Sequence, residues 1–315
     1  MKPLPPSEIR VWRRPGALAW WWALRLAAAW LLAAPVADTL SAPTADLPQG
    51  DAVLFEAGGA YLLEALRHGQ AQLAAGTRRF LWTLLLLGAT GLVPLCAVLV
   101  ALSHQGRLRA AGWSRLTARH LPSFIILAGL TLLAQAVVLL GAVLVVVATR
   151  DALHQAFSPR GADFVAMATA GLGAALVVAL GVVQDLARAA VVRHEVGGRV
   201  ALAIAFGTLR RRPGRILLDW LTPTIYTLPT IVGAALVANW LGVEREGAWR
   251  VALVFVVHQI AAFGLVALRS WWLGRALVLV STTAPPEASE EPSAGSAAIR
   301  LERPPPADRP AGSGA

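Results

Sequence analysis

Charged residues, and lysine above all, are scarce in this sequence. Only 15% of the 315 residues are charged, whereas a soluble globular domain carries about a quarter. Lys2 is the only lysine, so almost every cation is an arginine. Because 57% of the residues are apolar, there are too few polar groups to cover a water-exposed surface. The composition therefore excludes an ordinary water-soluble domain.

Cysteine and the common catalytic signatures are also lacking. Cys96 is the only cysteine, which excludes a disulfide bond within the chain. The histidines are scattered and show no metal-ligand spacing. The sequence contains no phosphate-binding Walker loop, no Gly-x-Ser-x-Gly nucleophile turn and no His-Glu-x-x-His zinc motif. These absences predict a protein that is not an enzyme and has no cofactor or metal.

The arginines lie in short clusters between apolar runs, although the formal net charge is +10. A nucleic-acid groove would need a basic stripe interleaved with stacking aromatic residues, so we expect no nucleic-acid partner. Clusters beside apolar runs are typical of residues that flank a membrane. The predicted partners are the lipid bilayer and, at the arginine clusters, anionic lipid headgroups.

Several apolar runs are long enough to cross a bilayer, which requires about 20 residues in a helix. Their continuous apolarity excludes the alternating pattern of membrane β-strands. The predicted fold class is therefore all-α, a polytopic membrane bundle of about six transmembrane helices within residues 1–280. The predicted spans are Ala17–Val36, Phe80–Leu102, Phe124–Ala148, Ala162–Leu186, Ile216–Leu241 and Val251–Leu268.

The distribution of cations predicts the orientation of these spans. Seventeen basic residues flank the spans on the side that holds both termini, and seven flank them on the other side. Such an excess marks the cytoplasmic side, so we expect a multi-pass protein of a bacterial inner (plasma) membrane with the N-terminus and C-terminus in the cytoplasm. Residues 37–79 are then an extracytoplasmic loop, amphipathic from residue 51. Residues 281–315 are a Pro-rich cytoplasmic tail that is predicted to be disordered.

The tetrapeptide Arg-Arg-Pro-Gly occurs at Arg13–Gly16 and Arg211–Gly214, and a looser version lies at Arg119–Ser123. Proline suits the first turn of a helix, where its missing N–H has no partner in any case. Arg107–Arg119 and Arg199–Arg212 mix arginine with apolar residues, which predicts interfacial elbow helices on the cytoplasmic leaflet. The pattern is either a threefold repeat of elbow, turn and hairpin or a recurrent start signal.

The segments Gln184–Arg188, Gly198–Leu202 and Leu209–Arg215 carry a resemblance. They combine an Asp-x-x-Arg at a helix end, an elbow and an Arg-x-Pro entrance. In this the chain resembles uncharacterised six-helix bacterial integral membrane proteins. It is similar, more distantly, to the membrane domain fused to some glycerophosphodiester phosphodiesterases. The resemblance implies an architecture and an envelope location. It implies no reaction, because the soluble phosphodiesterase domain is absent.

Charged residues at membrane depth are costly and are by default candidates for function. Spacings of three and four residues predict local ion pairs between Asp185 and Arg188 and between Arg215 and Asp219, and these four charges could form one cluster. Arg25 either reaches the headgroups along its aliphatic stem or binds a lipid phosphate. The candidate polar cluster is Arg25, Asp185, Arg188, Arg215, Asp219 and His258.

Pro223 and Pro229 lie within the fifth predicted span, 216–241. Each removes a backbone hydrogen bond, and broken helices line substrate sites in transporters. A plain kink is the alternative.

These observations support one leading hypothesis and two others. The leading one is a non-enzymatic scaffold or accessory in envelope or lipid handling. A small-solute or lipid transporter would have a cavity beside Pro223 and Pro229. An enzyme acting on lipid headgroups would bring Arg25, Asp185 and Asp219 into one pocket.

Overall fold

The computed structural model describes Pro5, Ile9, Trp12 and residues 14–41, 70–104, 109–242 and 248–283. Of the amphipathic segment predicted from residue 51, residues 51–69 lie outside the described residues, and residues 70–79 are helical. All but the first three positions of the predicted disordered tail, 281–315, lie outside them as well.

All elements of the described chain are helices, which confirms the all-α class. Six helical spans are long and apolar enough to cross a membrane, with α2 and α3 together providing one of them. The chain is thus a multi-pass membrane protein. The helices are α1 (Pro15–Ser41), α2 (Gln70–Thr90), α3 (Leu92–Ser103), α4 (Ala110–Ala156), α5 (Pro159–His194), α6 (Gly198–Arg211), α7 (Pro213–Trp240) and α8 (Ala248–Ser281).

Both copies of the Arg-Arg-Pro-Gly motif begin a long helix, as predicted. Helix α1 starts at Pro15 and α7 starts at Pro213, where a missing N–H costs no intrahelical bond. The elbow predicted over Arg199–Arg212 is also present as the separate helix α6. Glu195, with a φ of 53° in the left-handed region, lies at the end of α5 just before this elbow.

The other predicted elbow, Arg107–Arg119, is not a separate helix. Helix α4 runs without a break through Pro122 over 47 residues. Its first turns are held against α3, because Trp113 Nε1 donates a hydrogen bond to the Ala97 carbonyl at 2.7 Å. A helix of this length measures about 70 Å, more than twice the hydrocarbon core of about 30 Å. Helix α4 therefore extends beyond the bilayer.

The second span is interrupted at Gly91, which separates α2 from α3. Pro94 lacks the N–H that would bind the carbonyl of Thr90, so the regular ladder is broken there. A Cβ at position 91 would lie 3.0 Å from the Leu87 carbonyl oxygen. The break therefore favours glycine at this position.

Helix α7, in contrast, is continuous through Pro223 and Pro229, so the break on which the alternative transporter hypothesis drew is absent from this helix. Each proline removes only one hydrogen bond, and transmembrane helices tolerate such a loss. The threonines around the prolines do not bind the carbonyls of Asp219 and Ile225 that the prolines leave free. Thr222, Thr224, Thr227 and Thr230 donate instead to the carbonyls of Leu218, Trp220, Pro223 and Tyr226.

The buried core lies at one end of the bundle. This arginine-rich end comprises α3, α6, the first turns of α1, α4 and α7, and the last turns of α5 and α8. Leu99, Phe124, Leu186 and Leu277 are fully buried there. The far halves of α4 and α5 expose mainly apolar side chains, as lipid-facing surfaces do.

Two interhelical amide hydrogen bonds join α4 and α5 across their length. Gln135 Nε2 donates to the Val177 carbonyl at 3.1 Å, and Gln184 Nε2 donates to the Leu127 carbonyl at 3.4 Å. A Cβ at Gly173 would lie 2.9 Å from Cβ of Ala142. Small residues on both helices therefore permit close helix approach at this point.

Candidate anion-binding site

Asp185 is the centre of a buried polar network at the arginine-rich end. The residue is only 2% exposed. Arg269 Nη2 lies 2.7 Å from its Oδ1 atom, and Trp272 Nε1 donates a hydrogen bond to Oδ2 at 2.8 Å. Both partners belong to α8, so this carboxylate joins α5 to α8.

Arg188 forms the local ion pair predicted with Asp185, but at longer range. Its Nη1 lies 3.7 Å from Asp185 Oδ1, and its side chain is only 8% exposed. The guanidinium also lies over the ring of Phe124, 5.8 Å from its centroid. Arg188 Nε is buried without a hydrogen-bond partner in the described residues. Two guanidinium groups therefore share one buried carboxylate.

Asp219 forms the second ion-pair site. Its carboxylate lies 3.8 Å from Arg215 Nε, the predicted partner, and 3.9 Å from Arg275 Nε of α8. Both arginines are largely exposed, so these contacts contribute little to stability. Within the described chain no arginine pairs with both Asp219 and Asp185. Each carboxylate is instead paired with a different arginine of α8.

Arg25 of α1 lies above the ring of Trp21, 4.9 Å from the ring centroid. It also lines a cavity of about 380 Å³ together with Arg269. The two cations thus reach one space from different helices, and Arg269 connects this space to Asp185. The lining residues are Arg25, Trp220, Pro223, Thr224, Thr227, Leu265, Leu268, Arg269 and Trp272.

The cavity lies between α1, α7 and α8, each of which contributes lining residues. Helices α1 and α7 each pack against α8 but hardly touch one another in the described chain. Leu265 and Leu268 of α8 supply the apolar part of the lining beside the two arginines. All three helices belong to spans that are long and apolar enough to cross a membrane.

His258 does not join this site. Its Nδ1 atom donates a hydrogen bond to the Val254 carbonyl of its own helix at 2.8 Å, and the side chain is exposed. Of the predicted cluster, the structure thus brings Arg25, Asp185 and Arg188 towards Arg269. It leaves Arg215 and Asp219 in a second site and His258 outside both.

Arg269 and Trp272 are the site residues that the sequence analysis missed. The predicted sixth span ends at Leu268, which leaves Arg269 and Trp272 outside the membrane-spanning segment. Helix α8 continues to Ser281, and its residues Leu273, Leu277 and Val280 are fully buried. The apolar residues after Arg269 were the signal that the helix does not end there.

The chain matches no family model, no curated protein and no solved structure. The resemblance to six-helix bacterial membrane proteins therefore stays a prediction. What the site can do follows from its geometry and chemistry.

Proposed function

We propose that this chain is a non-enzymatic membrane protein of lipid handling, which binds the headgroup of an anionic lipid between α1, α7 and α8. The observation that carries the proposal is the placement of Arg25 and Arg269 on one cavity between three membrane-spanning helices. A guanidinium group presents several N–H donors in a plane that fits phosphate oxygens. Two such groups from different helices suit one phosphate.

The chemistry of the cavity lining supports binding rather than catalysis. None of the described residues that line it carries a carboxylate, an imidazole or a thiol. The hydroxyls of Thr224 and Thr227 already donate to carbonyls of their own helix. No general base lies within this set to activate a nucleophile. Asp185, the carboxylate that pairs with the lining residue Arg269, is engaged by Arg269 and Trp272.

We place the arginine-rich end in the cytoplasm of a bacterial cell, with the protein in the inner membrane. Cys96 is fully buried, so single added cysteines can report the orientation. Ser114→Cys on the arginine-rich side should react with a membrane-impermeant maleimide only after the cells are opened. Ala156→Cys on the other side should react in intact cells. Labelling of Ser114→Cys in intact cells would reverse the proposed orientation.

Lipid binding is expected to depend on Arg25. Replacing Arg25 by glutamine should weaken binding of short-chain phosphatidylglycerol to the detergent-solubilised protein by about 10- to 100-fold, the loss expected for hydrogen bonds to a charged group. Binding of phosphatidylcholine should be weaker in the wild type and change little. Native mass spectrometry of the full chain measures both.

The matched control for this experiment is Arg160→Gln, which removes the same charge from the start of α5. Arg160 is exposed and does not line the cavity, so the variant should bind phosphatidylglycerol like the wild type. Equal loss in the two variants would mean that only overall charge matters. Full binding by Arg25→Gln would refute the proposed site.

Transport is the second candidate, and the position of α7 favours it. Pro223, Thr224 and Thr227 line the cavity, and Pro223 leaves the carbonyl of Asp219 without its helical N–H partner. A lipid transporter reconstituted in liposomes would move a labelled anionic lipid between leaflets, and Arg25→Gln would abolish that movement. The lipid-handling accessory would bind the lipid without moving it.

A further inference from the structure

The arginines at the cavity and around Asp185 carry more positive charge than this carboxylate can balance. Arg25, Arg188 and Arg269 carry three positive charges, and Asp185 supplies one negative charge. No other carboxylate in the described chain pairs with any of these arginines. An uncompensated charge is costly in surroundings of low dielectric constant. The site thus holds an excess of two positive charges beside a cavity.

We infer that the cavity binds a lipid whose headgroup ends in a phosphate monoester. This inference rests on the proposed function and specifies its ligand. A phosphate monoester carries close to two negative charges at neutral pH, which equals the excess of the site. A phosphate diester such as phosphatidylglycerol carries one and would leave one cation uncompensated. Its single ionised phosphate also offers fewer charged oxygens to two guanidinium groups.

Arg25 and Arg269 are the ligand-binding cations of this proposal, and Asp185 is a positioning residue. Asp185 Oδ1 binds Arg269 through Nη2 at 2.7 Å. The arginine nonetheless lines the cavity, and its side chain is 37% exposed. The carboxylate therefore holds Arg269 in place without covering it. Trp272 holds the other oxygen, Oδ2, at 2.8 Å, so the carboxylate itself is fixed.

The apolar part of the cavity lining favours a lipid over a free phosphate. Leu265 and Leu268 of α8 line the cavity together with the rings of Trp220 and Trp272. The glycerol backbone and the first methylene groups of a lipid would contact these side chains. A soluble phosphate would leave this apolar lining unused.

The test compares four ligands on the full-length protein in phosphatidylcholine-containing micelles at pH 7.5. These are dioctanoyl phosphatidic acid, dioctanoyl phosphatidylglycerol, glycerol 3-phosphate and inorganic phosphate, each titrated calorimetrically. Phosphatidic acid should bind about tenfold more tightly than phosphatidylglycerol, because an additional charge-assisted interaction is formed. Arg25→Gln should remove this preference, and Arg160→Gln should retain it. Arg25 pairs with no carboxylate in the described chain, so its replacement strands no buried charge.

The other possible results of this titration contradict the monoester inference, the lipid assignment or the proposed function. Equal affinity for the two lipids, both lost in Arg25→Gln, overturns the monoester inference and leaves the proposed function standing. Glycerol 3-phosphate or inorganic phosphate binding as tightly as phosphatidic acid overturns the lipid assignment. Lipid binding that is unaffected by Arg25→Gln overturns both the inference and the proposed function. Arg25→Lys, which keeps the charge but loses the planar donors, should retain part of the affinity.

Discussion

Replacing Asp185 by alanine is expected to lower the free energy of unfolding by about 3–5 kcal/mol, the usual cost of removing one partner of a buried ion pair. The substitution would leave Arg188 and Arg269 without their carboxylate and Trp272 Nε1 without its acceptor. It would also remove the polar link between α5 and α8. Titration with sodium dodecyl sulfate in mixed micelles, followed by circular dichroism, measures the change.

Asp219→Ala is the matched control, because it removes the same carboxylate from a more exposed pair. Its partners lie at 3.8 and 3.9 Å, and both are largely exposed, so a loss of only about 0–1 kcal/mol is expected. Asp185→Asn should fall between the two, since an amide oxygen can still accept the hydrogen bond of Trp272. If Asp185→Ala and Asp219→Ala were equally mild, the network around Asp185 would not be a structural centre of the bundle.

Phe124→Ala is expected to cost about 3–5 kcal/mol of unfolding free energy, as for other large-to-small changes at buried aromatic residues. The Phe124 side chain is fully buried and lies under the Arg188 guanidinium. Its removal would create a cavity in the core and withdraw a cation–π contact from an arginine whose Nε has no hydrogen-bond partner among the described residues. The same detergent titration reports the loss.

Phe255→Ala separates this packing effect from the loss of an aromatic ring as such. Phe255 on α8 is 53% exposed and lies on a lipid-facing surface. Lipid can fill the space that its ring leaves, and lipid is as apolar as the side chain. We therefore expect a change of less than about 1 kcal/mol, well below the effect of a core cavity. A large loss in Phe255→Ala would indicate that this surface packs against another protein rather than against lipid.

The two stability predictions also bear on the proposed function. Buried charged residues in a membrane protein are either structural or functional, and here the division falls between neighbouring arginines. Arg188 is enclosed between Asp185 and Phe124, which is a structural position. Arg25 and Arg269 line the cavity, where a ligand can reach them. Variants at Asp185 and Phe124 should therefore act mainly on stability, whereas Arg25→Gln should act mainly on lipid binding.

The membrane location of this protein, its helical class and its six spans could all be predicted from the amino-acid sequence. Each of these properties depends on local features. The length of an apolar run shows whether it can cross the bilayer, and a segment in lipid must be helical because unpaired backbone N–H and C=O groups are costly there. The first residues of α1 and α7 could also be predicted from the sequence, because the effect of proline on the first turn of a helix is local. The i, i+3 pair of Asp185 with Arg188 and the i, i+4 pair of Arg215 with Asp219 follow from helical geometry alone.

Which residues form the site could not be predicted, because it depends on how the helices pack against one another. Arg269 lies 84 residues from Asp185 in sequence, and no spacing rule connects residues on different helices. Their contact depends on how far α8 continues and on how it is rotated against α5, which the packing of the whole core determines. The same holds for the cavity, since Arg25 becomes a possible ligand-binding residue only because α1 and α7 both pack against α8. Sequence periodicity reports the neighbours within one helix, whereas contacts between helices follow from the packing of side chains across all of them.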